Sequence, residues 1–74
     1  MEREKIIKIL FDSLKNDAVI ADDALLFDDL GFSSLEMMTI LFEIEDSLDI
    51  TIDFSKLAGT KTVGQLICMI ESMT

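Results

Sequence analysis

Histidine is absent from this sequence, and with it every Ser-His-Asp or Cys-His nucleophile and every histidine-based metal site. Proline is absent too, so nothing of that kind marks an interdomain linker. The single cysteine, Cys68, cannot close an internal disulfide, which fits a reducing, cytoplasmic setting. No apolar run approaches the ~18 residues that a membrane span requires. The opening Met1-Glu2-Arg3-Glu4-Lys5 is charged, and Lys8 and Asp12 break the apolar run behind it, so no secretion signal is expected. Bases are missing altogether from residues 16–55. A chain without a basic face is a poor ligand for nucleic acid or for an anionic membrane surface.

What is present is a short, acidic and apolar chain. Its 74 residues predict one domain over 1–74, with a small core and modest stability. Half of the residues are apolar, which excludes a disordered acidic tail. The formal charge of −9 is unevenly placed. Residues 1–15 and 56–74 are each net +1, whereas residues 16–55 hold eleven acids. Self-repulsion in that segment works against the fold at low salt. Its concentration in one stretch points to a face that meets a basic partner.

Periodicity predicts a first helix over 3–15, with Ile6, Ile7, Leu10, Phe11 and Leu14 on its apolar side. Residues 16–32 read as a long loop, pinned to the core by Val19, Leu25, Leu26, Phe27, Leu30 and Phe32. A second helix should start at Ser33 or Ser34 and end near Ser47 or Leu48. There Ser33-Ser34-Leu35-Glu36 fits a capping box, in which a serine hydroxyl and a glutamate carboxylate three residues on satisfy each other's backbone N–H. At 100° per residue, Met37, Ile40, Leu41, Ile44 and Leu48 share a core-facing side. Leu35, Met38 and Phe42 lie opposite, flanked by Thr39, Glu45 and Asp46. A helix needs one apolar stripe to pack. A second, rimmed by acids, has the character of a docking surface unless the long loop covers it. Residues 49–52 read as an extended link, and Asp53 caps a short helical turn after it. Thr62-Val63-Gly64-Gln65 opens a last helix with another capping box and an apolar stripe of Val63, Leu66, Ile67, Ile70 and Met73. The expected fold is all-α, a small four-helix bundle of three main helices and one short one.

Few residues carry candidate chemistry. The pairs Asp22-Asp23 and Asp28-Asp29 invite a calcium loop, but with Gly31 at the sixth position the ligand positions fall on Leu26, Asp28, Leu30 and Met37, and only Asp28 is an acid. No metal site is expected. Cys68 has no neighbouring base or cation to lower its pKa and reads as a small buried hydrophobe. No nucleophile has a recognisable base, so the chain is not expected to be an enzyme. Ser33 and Ser34 remain. A helix N-terminus offers unpaired N–H groups and partial positive charge, and a serine there is well placed to carry a phosphate-linked group.

The run Asp29-Leu30-Gly31-Phe32-Ser33-Ser34-Leu35-Glu36 resembles the prosthetic-group site of acyl carrier proteins, whose usual order is Asp-Leu-Gly, a variable residue, then Asp-Ser-Leu. The likeness extends to the length, the leading helix, the long loop, the acidic second helix, the Ile50–Asp53 link and Thr62-Val63-Gly64. It implies a 4′-phosphopantetheine arm on Ser34, transferred from coenzyme A by a phosphopantetheinyl transferase and holding acyl groups as thioesters. It implies further partners, acyl-loading and acyl-processing enzymes with basic patches, of fatty acid, polyketide or related synthesis. Glu36, Glu45 and Asp46 would steer these enzymes to a monomeric carrier, while Leu35, Met38 and Phe42 supply apolar contact. A peptidyl or aminoacyl carrier, including the D-alanyl type, and an unmodified acidic adaptor of the same fold are the alternatives. One departure stands out: Ser33 replaces the usual Asp. It can still cap the helix, but it removes a carboxylate that could have helped the modifying enzyme engage its site through a metal.

Overall fold

The computed structural model describes residues 2–15 and 17–73. Its elements are α1 (Glu2–Ser13), α2 (Ser34–Leu48), a 3-10 helix (Phe54–Gly59) and α3 (Val63–Glu71). The architecture is the expected all-α bundle, with α1 packed against both α2 and α3.

Each helix end rests on local chemistry. Both capping boxes form, Ser33 with Glu36 and Thr62 with Gln65. Asp53 caps the 3-10 helix by accepting from the Ser55 N–H. The first helix stops at Ser13, before the expected Lys15, where the Ser13 hydroxyl donates to the Ile9 carbonyl and the Leu14 N–H turns back to the Phe11 carbonyl. At the end of α2, Asp49 adopts the left-handed conformation (φ 55°) and its N–H donates to the Glu45 carbonyl.

The core draws on the three α-helices, the long loop and, through Ile52, the link after α2. Ile6 and Leu10 come from α1, Met37, Ile40, Leu41 and Ile44 from α2, and Val63, Leu66, Ile67 and Ile70 from α3. Burial of each such side chain contributes about 1.5–3 kcal/mol before ordering costs. The long loop adds Ala24, Leu26, Leu30 and Phe32. It is clipped to the start of α3 by backbone bonds from Leu26 N–H to the Lys61 carbonyl, Val63 N–H to the Ala24 carbonyl and Gly64 N–H to the Asp22 carbonyl, at 2.8–3.0 Å. Arg3 adds an ion pair to Asp22. These contacts explain how an irregular stretch persists in so small a domain.

Four expected core residues lie elsewhere. Val19 is 79 % exposed and pins nothing. Phe27 is only partly covered, because the clip places Leu26 inward and turns its neighbour out. Phe11 is 68 % exposed, since it lies some 120° around α1 from the line between Ile6 and Leu10. Cys68 is also exposed, because the buried α3 residues 63, 66, 67 and 70 share one side and position 68 falls opposite.

Candidate functional site

The start of α2 separates the roles of the two serines. Gly31, in the left-handed region at φ 75°, turns the chain so that Phe32 is buried and Ser33 sits in extended conformation at the cap. The Ser33 hydroxyl accepts from the Glu36 N–H at 3.1 Å, and the Glu36 carboxylate accepts from the Ser33 N–H at 2.9 Å. Glu36 also pairs with Lys15 at 3.1 Å, which ties the segment after α1 to the head of α2. The Ser33 backbone bond first, and then Lys15, hold the Glu36 carboxyl below its usual range.

Ser34, one residue on, is the first helical residue and is exposed. Its hydroxyl has no hydrogen-bond partner among the described residues, whereas that of Ser33 is engaged in the cap. It opens onto a cleft of about 580 Å³. One wall is the loop, with Leu25, Phe27 and Asp28. The other runs from the 3-10 helix to the head of α3, with Phe54, Leu57 and Lys61. The loop wall is braced internally, because the Asp29 carboxylate accepts from the Leu25 N–H at 2.8 Å.

The second apolar stripe of α2 is open. Leu35, Met38 and Phe42 are 77 %, 38 % and 52 % exposed, so the loop does not cover them. Asp46 is exposed beside them. Glu45 is half-buried, and its carboxylate accepts from the Ile52 N–H at 2.6 Å, fixing the link to α2. Glu36 and Glu45 thus each carry an internal bond, while Asp46 has none among the described residues. The Phe42 ring meets Phe54 edge-on, with centroids 5.2 Å apart and planes at 71°.

The cleft wall formed by Phe54 and Leu57, the internal use of Glu45 and the Lys15–Glu36 pair went unread in the sequence. Of these, Phe54 carries a signal in the sequence, as an aromatic residue directly after a cap. Among the described residues, no three acidic or thiol side chains gather to hold a metal ion, and no helix is long and apolar enough to cross a membrane.

An exposed, unbonded serine at a helix N-terminus, opening on a half-apolar cleft, suits a covalently attached group with a phosphate at its root and an apolar load. Residues 4–70 match the family described as "Phosphopantetheine attachment site". The chain is 35 % identical over 71 residues to the acyl carrier protein of Streptococcus thermophilus, covering 96 % of this chain and 93 % of that one. It is 37 % identical over 68 residues to the acyl carrier protein of Streptococcus pneumoniae, covering 92 % and 89 %. In three dimensions it matches a Mycobacterium tuberculosis protein provisionally described as an acyl carrier protein, with a TM-score of 0.86, 33 % identity and 97 % of each chain covered. This chain belongs to the acyl carrier protein family, whose members are carriers rather than enzymes and hold 4′-phosphopantetheine covalently.

Proposed function

We propose that Ser34 bears the 4′-phosphopantetheine arm and that the chain carries acyl intermediates of fatty acid, polyketide or related synthesis. The observation that carries this reading is the division between the serines: Ser33 is engaged in the cap, while the Ser34 hydroxyl has no bond among the described residues and Ser34 lines the cleft. The missing Asp at position 33 does not cost the helix its cap, because Ser33 and Glu36 complete the box. When bound, the arm supplies a thiol that holds an acyl group as a thioester.

The chain's own residues do the rest. The first N–H groups of α2 lack intrahelical acceptors and, with the helix dipole, favour an anion at Ser34. Lys61, in the cleft lining, adds a cation on the same side. Leu25, Phe27, Phe54 and Leu57 offer apolar surface to a chain drawn in from water. Leu35, Met38 and Phe42 form the contact for a phosphopantetheinyl transferase and for acyl-loading and acyl-processing enzymes, and Asp46 with the rest of the acidic segment steers their basic patches. We place the carrier in the cytoplasm, since an arm that ends in a thiol works where thiols stay reduced.

Co-expression with a broad phosphopantetheinyl transferase, then intact mass and fragmentation of the peptide between Lys15 and Lys56, tests the assignment. The expected result is one arm, on Ser34. An arm on Ser33 would overturn the residue assignment, and no arm at all would favour the unmodified adaptor.

A further inference from the structure

The cleft beside Ser34 has one wall fixed along its length by backbone bonds and buried side chains, and one anchored at its far end. At that end buried Thr60 donates to the Lys56 carbonyl and the Lys61 carbonyl joins the clip, with Phe54 and Leu57 only partly buried against the core. The loop wall is fixed by the backbone clip to α3, by the Asp29–Leu25 bond and by buried Leu26, Leu30 and Phe32. The opposite wall is a six-residue 3-10 helix with no fully buried residue. Hydrogen-bond geometry in such a helix is poorer than in an α-helix. Two supports reach it from α2. One acts just ahead of it, where the Glu45 carboxylate holds the Ile52 N–H at 2.6 Å. The other is the ring contact between Phe54, which lines the cleft, and Phe42, which is half exposed on the outer stripe of α2.

We propose that Phe42 is a positioning residue for the cleft: through the edge-on contact with Phe54 it holds the 3-10 wall against α2 and so sets the opening beside Ser34. Phe42 faces two ways. Its outer surface lies on the stripe with Leu35 and Met38, and its ring meets the cleft wall. An apolar partner surface that packs on Phe42 competes for the same ring and bears directly on that wall. Docking and cleft width are thereby joined through one side chain, with no rearrangement of the core. The use of the cleft to shelter cargo rests on the function proposed above; the ring contact does not.

Amide hydrogen exchange on the unmodified full chain tests the contact. The reporters are the Lys56 N–H, bonded to the Asp53 carbonyl, and the Thr60 N–H, bonded to the Leu57 carbonyl. Phe42→Leu should speed their exchange by about three- to tenfold, the factor that corresponds to one aromatic pair. Exchange of the Leu66 amide within α3 should stay unchanged. Phe54→Leu should act alike, the double variant should do little more than the single ones, and Phe42→Tyr, which keeps the ring, should restore the wild-type rates. Multiplying effects in the double variant would overturn the proposal. So would unchanged Lys56 and Thr60 exchange in Phe42→Leu, or equal acceleration in α3. A second measurement separates this from the proposed function. With a saturated acyl chain loaded on the arm, hydroxylamine should cleave the thioester faster in Phe42→Leu than in wild type. Altered exchange with unaltered cleavage would leave the ring contact standing and overturn the sheltering role of the cleft.

Discussion

Two helices of this protein begin with the same device and put it to different ends. At α3, Thr62 and Gln65 close a capping box, the next residue Val63 is fully buried, and Gly64 lies against the loop, with its N–H 2.8 Å from the Asp22 carbonyl. At α2, Ser33 and Glu36 close the same box, but the next residues, Ser34 and Leu35, stand open to solvent. In α3 the capped end is roofed by the loop. In α2 it is left uncovered beside a cleft. A cap satisfies backbone groups wherever it occurs, so a capping serine is not by itself a functional one. What marks the α2 end is the hydroxyl directly after the cap, which no bond among the described residues consumes.

Substitutions at the two ends should break this parallel in unequal ways. Ser34→Ala should have the largest effect, abolishing arm attachment by intact mass while leaving far-ultraviolet helicity nearly intact. Retained modification would remove Ser34 from the site.

Gly64→Ala should be next, and its effect should be on stability alone. A Cβ at that position would lie 3.0 Å from the Asp22 carbonyl oxygen. That oxygen is held by the Gly64 N–H itself and cannot retreat without loosening the clip. The crowding should outweigh the gain in helix propensity and cost on the order of 1 kcal/mol in denaturant unfolding. The matching caps should cost about the same as each other, ~1 kcal/mol each for Ser33→Ala and Thr62→Ala. Ser33→Ala should still accept the arm on Ser34.

A smaller effect concerns charge. Asp46→Lys should slow arm transfer, with the difference shrinking as salt rises, because the interaction is long-range and screened. Asp46 is a cleaner probe than Glu45, whose reversal would also break the bond to Ile52. Equal rates at low salt would remove Asp46 from the docking face.

The smallest effect is acid sensitivity. The Glu36 carboxyl is held below its usual range by the Ser33 backbone bond and by Lys15. A carboxyl depressed in the folded state contributes stability above its unfolded pKa, and that contribution fades as pH falls through the folded value. The stability gap between wild type and Glu36→Gln should therefore be full near neutral pH and close as the solution becomes strongly acidic. The α3 box, with Gln65 in place of Glu, should show no such dependence.

Much of this was legible along the chain. The apolar spacing of α2 and α3, both capping boxes, the Asp53 cap and the outer stripe of α2 all stand where the sequence places them, since each depends on residues three or four apart. The misreadings share one cause. Phe11, Val19, Phe27 and Cys68 are apolar by type or fall near a helical stripe, but their exposure is set by which side of a helix or loop faces the other elements.

Residue type and short spacing are enough to dictate the helices, their caps, the acidic central segment and the serine motif at the head of α2. They do not dictate that residues 25–28 and 54–61 converge beside Ser34, that Glu45 holds the link, or that Phe42 meets Phe54. Those contacts join segments that no helical period relates. They exist because a small core folds the loop and the link onto the same end of the bundle.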